Sequence, residues 1–411
     1  MPSFAVPLSG LDANSSALSA ISNNLANLNT VAYKTSEAEF RDLFYQTVGI
    51  SGDGAPLQVG VGSAVSTTST QFTQGSIESN GVTSNAAIQG DGLFVVDRGG
   101  RREYSRAGNF IVSSAGNLVT PEGANVMGYP ATAGVVSTNS APVPIKIELG
   151  QLMSPQATSA ISMRLNLDAS AAVGAQHAVT VPMYDSLGFQ HDLSFSFTKT
   201  AVGQWAYHID APGSDFTNGG GSPVGLSSGV LNFDPQGALQ SLAPVQFSIS
   251  GLSDGAAAQA LQWNVSQAGG SGAVTQQASP SATIDIAQNG YSGGQLTNYS
   301  IANDGTVQGT FSNGQTLALG QLCLAAFTNM DGLERVGDNS YRATLGSGNP
   351  IIGVPGTQRL GSLTGGALEL SNVDIAREFS KLIIAQRGFQ ANAKAITTFD
   401  EIAQDTINIK R

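Results

Sequence analysis

The chain has 411 residues, of which 11% are charged, with 50 glycines and a formal net charge of −11. That length allows two to three domains, each able to bury a core, and the low charge with abundant glycine fits extended β-rich fibrous or extracellular proteins better than helical cytosolic enzymes. The acidic balance excludes nucleic acid as the partner, because affinity there comes from phosphate neutralisation by Lys and Arg.

Cys323 is alone in an apolar run, which excludes an intrachain disulfide or a cysteine metal cluster and reads as a buried inert thiol. Met1-Pro2-Ser3-Phe4 has no basic region and the first cation is Lys34, so no secretory signal peptide is expected. No run approaches the ~18 apolar residues of a membrane span, so no membrane insertion is expected. The body looks extracellular while nothing addresses it to general secretion, which leaves retention or a dedicated export machine.

In chain order, residues 8–29 read as a helix in which Leu11, Leu18 and Leu25 are spaced by seven and Ile21 and Leu28 fill the alternate positions, one narrow apolar seam. Ser9 followed by Asp12 reads as its capping box. From residue 61 to 361, short β-type runs punctuated by Gly, Asn-Gly and Asp-Gly predict antiparallel hairpins, such as 93–97 with 103–106, and 306–311 with 316–326 around Ser312-Asn313-Gly314-Gln315. Composition shifts at 132–142 and 267–281 mark domain borders. At the far end a second seam runs through Ile375, Phe379, Leu382, Phe389, Ala393, Ile396, Ala403 and Ile407, interrupted at Gln386 and Asp400. Ser371 and Asp374 read as its capping box, and ~37 residues would make a helix of roughly 55 Å.

The expected fold is mostly β with terminal α-helices: a coiled-coil-like helix pair plus two nested antiparallel β-domains. The expected domains are 1–30 with 369–411 (terminal helices), 31–70 with 358–368 (connecting segment), 71–145 with 285–357 (discontinuous β-domain) and 146–284 (inserted outer β-domain). A seam one stripe wide must bury against another helix. An internal stalk is one solution, but only Asp12 is charged in the first 33 residues, and a face of Ser and Asn suits close neighbours better than water. Contacts between copies that do not close generate open helical assemblies. The seam residues are therefore expected at helix packing and inter-subunit contacts.

Chemistry-bearing patterns are sparse. His177, His191 and His208 fall in one predicted domain without metal-ligand spacing and read as structural or surface residues. Asp-Gly pairs at Asp53, Asp91, Asp304 and Asp331 read as turns. Arg98, Arg101, Arg102 and Arg106 form a basic cluster, either a charged hairpin or a contact with an acidic surface on a neighbour. Residues 60–65 lack the third Gly of a dinucleotide loop, and no nucleophile elbow or Walker loop occurs. No catalytic, metal or cofactor residue is expected, and the chain does not read as an enzyme.

Ser22-Asn23-Asn24-Leu25-Ala26-Asn27-Leu28-Asn29-Thr30-Val31-Ala32-Tyr33-Lys34 resembles the Asn-rich N-terminal signature of the flagellar rod, hook and hook-associated protein family. Asn23, Asn24, Asn27, Asn29, Thr30 and Lys34 carry it, with Ala32 where that family usually has Gly. Residues 370–374 and the run Ala385-Gln386-Arg387-Gly388-Phe389-Gln390-Ala391-Asn392 are similar to its C-terminal signature. Gln386, Arg387, Gln390 and Asn392 carry this one, and Gly388 replaces a commoner Ser or Ala at a helix cost of about 1 kcal/mol. Residues 90–96, 104–110 and 128–129 are similar to the β-core of rod and hook subunits, and 184–188 and 299–326 to hook subunits.

The resemblance implies a structural subunit of the flagellar hook, a homopolymeric curved flexible tube that acts as a universal joint carrying torque from rod to filament. It further implies rod, hook-cap and hook-associated proteins and the flagellar export apparatus as partners, type III export, a flagellar basal body/hook location outside the cell, and no cofactor. The alternatives are a distal rod or hook-associated axial subunit and, remotely, a β-rich adhesin or enzyme. The longer C-terminal seam is expected to carry most of the inter-subunit register.

Overall fold

A computed structural model describes residues 4–51, 54–266, 272–357 and 359–409. Met1 to Ser3, Asp53, the core of the 267–281 border and the last two residues of the C-terminal helix reading lie outside the described residues. The chain divides into two compact units. Unit 1 comprises Met1–Leu149, Asn298–Gly309 and Thr316–Arg411, and unit 2 comprises Gly150–Thr297 and Thr310–Gln315.

Unit 1 holds the two α-helices, α1 (Ala5–Ala26) and α2 (Ile375–Ile409). Neither starts at its expected capping box. α1 begins before Ser9 because Pro7 falls in its first turn, where a missing N–H needs no acceptor. The Ser9 hydroxyl instead donates to the Val6 carbonyl at 2.7 Å and accepts from the Ser63 N–H at 3.2 Å. At α2 the cap is Asp374 itself, whose carboxylate accepts the Arg377 N–H at 3.1 Å, while the Ser371 hydroxyl accepts from the Val373 N–H outside the helix. After α1 the chain reverses through Ala32, which takes φ +55° without the glycine that makes this conformation easy.

Beside the helices, Ser36–Asp42 pairs antiparallel with Ser63–Thr70, and Tyr45–Ile50 pairs with Pro56–Gly60. The unit's core lies under a sheet in which Leu93–Arg98 and Arg101–Ser105 form a hairpin. Gly99 and Gly100 (φ +62° and +85°) supply the turn that matches strand twist. Asn125–Thr132 pairs with Leu93–Arg98 and also with Thr316–Leu322. Leu93, Val95, Tyr104, Met127, Cys323 and Phe327 meet beneath. The Cys323 thiol donates to the Met127 carbonyl, and burial pushes its pKa up to about 12, so it is an inert core group. The basic cluster divides: Arg98 pairs with Asp338 at 3.0 Å, Arg101 and Arg102 face solvent, and Arg106 is buried rather than displayed.

Unit 2 packs two sheets. Gln176–Tyr184, Gln190–Ala201, Gln204–Ala211 and Val224–Asn232 form an antiparallel meander. In the second sheet Ala160–Asp168 pairs antiparallel with Ala282–Gln288 but parallel with both Gln259–Asn264 and Val274–Gln277, a departure from hairpin pairing. Strict alternation along Gln190–Ala201 sends His191, Leu193, Phe195, Phe197 and Lys199 inward. Trp263 is the core's hub, with Phe195, Phe197 and Tyr207 edge-on at ring separations of 5.5, 5.8 and 5.5 Å.

Candidate assembly surface

α1 and α2 pack antiparallel. Phe4 meets Phe399 edge-on, Gly10 lies against Asn392, Asn14 against Gly388, and Asn24 reaches Glu378. The contact is built from small and amide side chains. In each helix an Asn donates back to the carbonyl of the Gly four residues earlier, Asn14 to Gly10 at 2.7 Å and Asn392 to Gly388 at 3.0 Å. Each amide then lies over the other helix's glycine. A Cβ on Gly388 would stand 2.6 Å from the Asn14 Oδ1, and one on Gly10 2.8 Å from the Asn392 amide, so a larger residue at either position must displace the opposing amide.

This arrangement leaves most of the predicted seams only partly covered. Of the N-terminal set only Ile21 is buried, while Leu11, Leu18, Leu25 and Leu28 are half-buried. On α2, Leu382, Phe389, Ala393, Ile396 and Ala403 are half-buried, and Ile375, Phe379 and Ile407 are exposed. The buried positions are instead Pro7, Ala13, Ile21 and Asn24 on α1, and Glu378 and Ala385 on α2. Further apolar side chains that the seam did not include also face outward, among them Ile383, Ile402 and Ile384, the last 71% exposed. A cleft of about 220 Å³ opens between α1, α2 and Ser36–Asp42, lined by Ala17, Ile21, Phe40, Ile384 and Ala385. The hairpin after Asp42 adds Tyr45, Val48, Ile50, Leu57 and Val59, with Phe44 before it 91% exposed. α1 carries a single charge, Asp12, while the cleft itself holds Lys381 paired with Glu37 at 2.9 Å and with Glu378 at 3.5 Å.

The signature residues do a different job, wiring the helix pair to the β-layer. Asn24 is buried with its amide fully used, donating to the Ser36 carbonyl and Glu378 Oε2 and accepting from the Ser36 N–H and the Tyr33 hydroxyl. Asn23 donates to the same hydroxyl at 3.1 Å, and Thr30 donates to Asn27, which itself donates to the Asn23 carbonyl. Lys34 is buried against Glu369 at 2.6 Å and donates to the Thr73 carbonyl. Asn29, Gln386, Arg387 and Gln390 are exposed, and Asn392 is the interlock residue.

Of four further residues at this junction, Glu369 and Arg335 escaped the sequence reading, while Arg106 and Asn372 were noted there, in the basic cluster and the C-terminal resemblance, without this role. Glu369 pairs with both Lys34 and Arg106, each at 2.6 Å, and accepts the Gly75 N–H. Arg106 also donates to the Gly92, Ile88 and Gly90 carbonyls. Asn372 accepts from the Thr35 N–H and donates to the Gln71 carbonyl, and Arg335 bonds the Lys34 carbonyl with its guanidinium over the Tyr33 ring. A carboxylate between Leu368 and Leu370 was the one available signal. Burial alone would raise the Glu369 pKa, but the Arg106 charge and the hydrogen bonds from Arg106, Lys34 and Gly75 hold it below the ordinary carboxyl value. Burial lowers the Lys34 pKa, only partly opposed by Glu369.

Among the described residues no helix is long and apolar enough to cross a membrane. Four family profiles match along the chain: flagella basal body rod protein at residues 5–34, flagellar hook protein FlgE/F/G D1 domain at 87–166, flagellar basal body protein FlaE D2 domain at 154–291, and flagellar basal body rod FlgEFG protein C-terminal at 364–409. The flagellar hook proteins FlgE of Salmonella typhimurium and Escherichia coli K12 are each 34% identical, over 99% of this chain and all of theirs. That of Treponema pallidum is 32% identical over 98% of each chain. The crystal structure of Helicobacter pylori hook protein FlgE2 superposes with a TM-score of 0.55 over 71% of this chain and 99% of that one, at 14% identity, a likeness of fold. End-to-end similarity of this kind, on a β-rich chain closed by two terminal helices, shows that the chain belongs to the flagellar hook protein family and is a structural subunit of the hook.

Proposed function

We propose that the chain polymerises through its two terminal helices into the curved, flexible tube that carries torque from rod to filament. The observation that supports this most is the apolar surface left over once α1 and α2 have packed on each other: Phe379, Ile383, Ile384 and Ile407 stand in water on a helix whose partner has only one charge. Exposed apolar surface of this extent marks an interaction site. The exposed seam residues Ile375, Phe379 and Ile407 are then contacts to neighbouring copies, Ile21 belongs to the packing within the chain, and the signature residues hold the helices at the angle those contacts need.

The finer partners follow the same reading. Rod, hook-cap and hook-associated proteins would meet the same terminal helices at the two ends of the tube. Passage through the flagellar export apparatus, to a place outside the cell, suits a chain without disulfides. The test is to delete residues 371–411 and, separately, to make Ile384→Glu with Ile407→Glu in the full chain. Loss of tubes in electron micrographs, with the double variant keeping its circular dichroism, is expected. Tubes formed by either variant would overturn the reading.

A further inference from the structure

His191 closes the inward-facing row of its strand at the rim of the unit 2 core and is 8% exposed. Three aspartates surround its ring. Nδ1 stands 2.9 Å from Asp215 Oδ2, an ordinary charged hydrogen bond that fixes the ring so that Nε2 points the other way. There Nε2 meets Asp254 Oδ2 at 3.3 Å and Asp185 Oδ2 at 3.5 Å, and the three atoms lie within 4.8 Å of one another. We propose that Asp185, His191 and Asp254 bind one divalent cation of the zinc class, with Asp215 as the residue that positions the imidazole.

On the Nε2 side the one hydrogen bond, to Asp185, is long at 3.5 Å, and the spacing also fits an ion. Charged N–H···O contacts fall near 2.7–2.9 Å, whereas tetrahedral ligands about 2.0–2.1 Å from a metal stand roughly 3.3 Å from each other. Both carboxylates are also anchored through Oδ1. Asp185 Oδ1 accepts the Leu187 and Phe189 N–H groups at 2.8 Å, and Asp254 Oδ1 accepts the Ala256 N–H at 2.9 Å. Asp185 Oδ2 has His191 Nε2 at 3.5 Å as its partner, and Asp254 Oδ2 is buried with no hydrogen-bond partner. A carboxylate behind the imidazole is the usual orienting arrangement for a histidine ligand. One nitrogen with two oxygens suits zinc or cobalt, while calcium wants six or more oxygens. Solvent reaches the site past Asp254, whose side chain is 17% exposed.

The competitor is a proton. Burial lowers the His191 pKa, but the hydrogen bonds its ring donates to Asp215 and Asp185 outweigh it and raise the group above its ordinary value, so metal and proton compete for the ring. The ligands lie 6 and 63 residues from His191, which is why spacing along the sequence gave no sign of them.

The test uses the full chain, stripped with chelator and titrated with Zn²⁺ by calorimetry and with Co²⁺ by visible absorption. One equivalent per chain, a tetrahedral Co²⁺ spectrum and a melting temperature raised by a few degrees at hundredfold excess are expected. Asp254→Asn keeps an oxygen for the Ala256 N–H yet should weaken binding at least tenfold, and Asp215→Asn by about 10- to 100-fold. Equal binding by the wild type and Asp254→Asn would show an adventitious surface ion, and no saturable uptake would show that a proton is the sole occupant. Either result overturns the proposal.

Discussion

Glu369 sits between Lys34 and Arg106 with its side chain sealed from water, so its charge decides whether two buried cations are neutralised. Replacing it with Gln leaves both without a counter-charge. Removing one partner of a buried pair costs about 3–5 kcal/mol, and Glu369→Gln should lower the urea stability of unit 1 by that order; a change under about 1 kcal/mol would contradict the network's role. The pH dependence has a definite sign. Because the folded pKa is lowered, the stabilisation is present above the unfolded carboxyl value of 4.5 and is lost as pH falls through the lower folded value. Urea midpoints measured from roughly pH 6 downwards should fall more steeply for the wild type than for Glu369→Gln. Little of this was legible beforehand. Lys34 and Asn24 stood out through the signature, but the group that neutralises Lys34 lies 335 residues away, and only the folded sheet brings it close.

Between the helices, glycine and asparagine set the separation. Gly388→Ala gains about 1 kcal/mol in helix propensity but pushes a methyl onto the Asn14 amide, and overpacking costs about 1–3 kcal/mol. A net loss near 1 kcal/mol is expected from thermal unfolding of the monomer. In Asn14→Ala with Gly388→Ala the clash disappears and the propensity gain should restore stability; failure of that rescue would argue against the interlock. Both helices were legible from their 3.6-residue pattern, but the faces were not. Heptad leucines dominate a hydrophobic pattern, whereas the internal contact uses Gly10, Ala13, Asn14 and Ala385, which carry almost no hydrophobic signal. The starts were displaced because Pro7 acts through backbone geometry in the first turn of α1 and the Asp374 carboxylate caps α2, while Ser9 and Ser371 only resembled caps.

Across the whole chain, alternation announced the β-strands well, and Gly-Gly and Asp-Gly turns were readable at Gly99 and Gly305. The parallel pairing of Ala160–Asp168 was not, because this strand alternates over most of its length instead of showing the continuous apolar run that marks a parallel sheet. Unit 2 rests on one aromatic cluster, and Trp263→Ala should cost it about 3–5 kcal/mol. Limited proteolysis should then cut within residues 150–297 while the Glu369-dependent transition of unit 1 stays in place. A parallel loss of both would show that the units unfold together. Unit 1, by contrast, is assembled from both ends of the chain, and this orders events during synthesis. Lys34 and Arg106 are made 335 and 263 residues before Glu369, and α1 must wait for α2. A growing or truncated chain therefore carries two uncovered cations and a helix without its antiparallel mate. The proposed polymer surface, which includes α2, exists only once residues 369–409 have been made and α2 has folded back on α1.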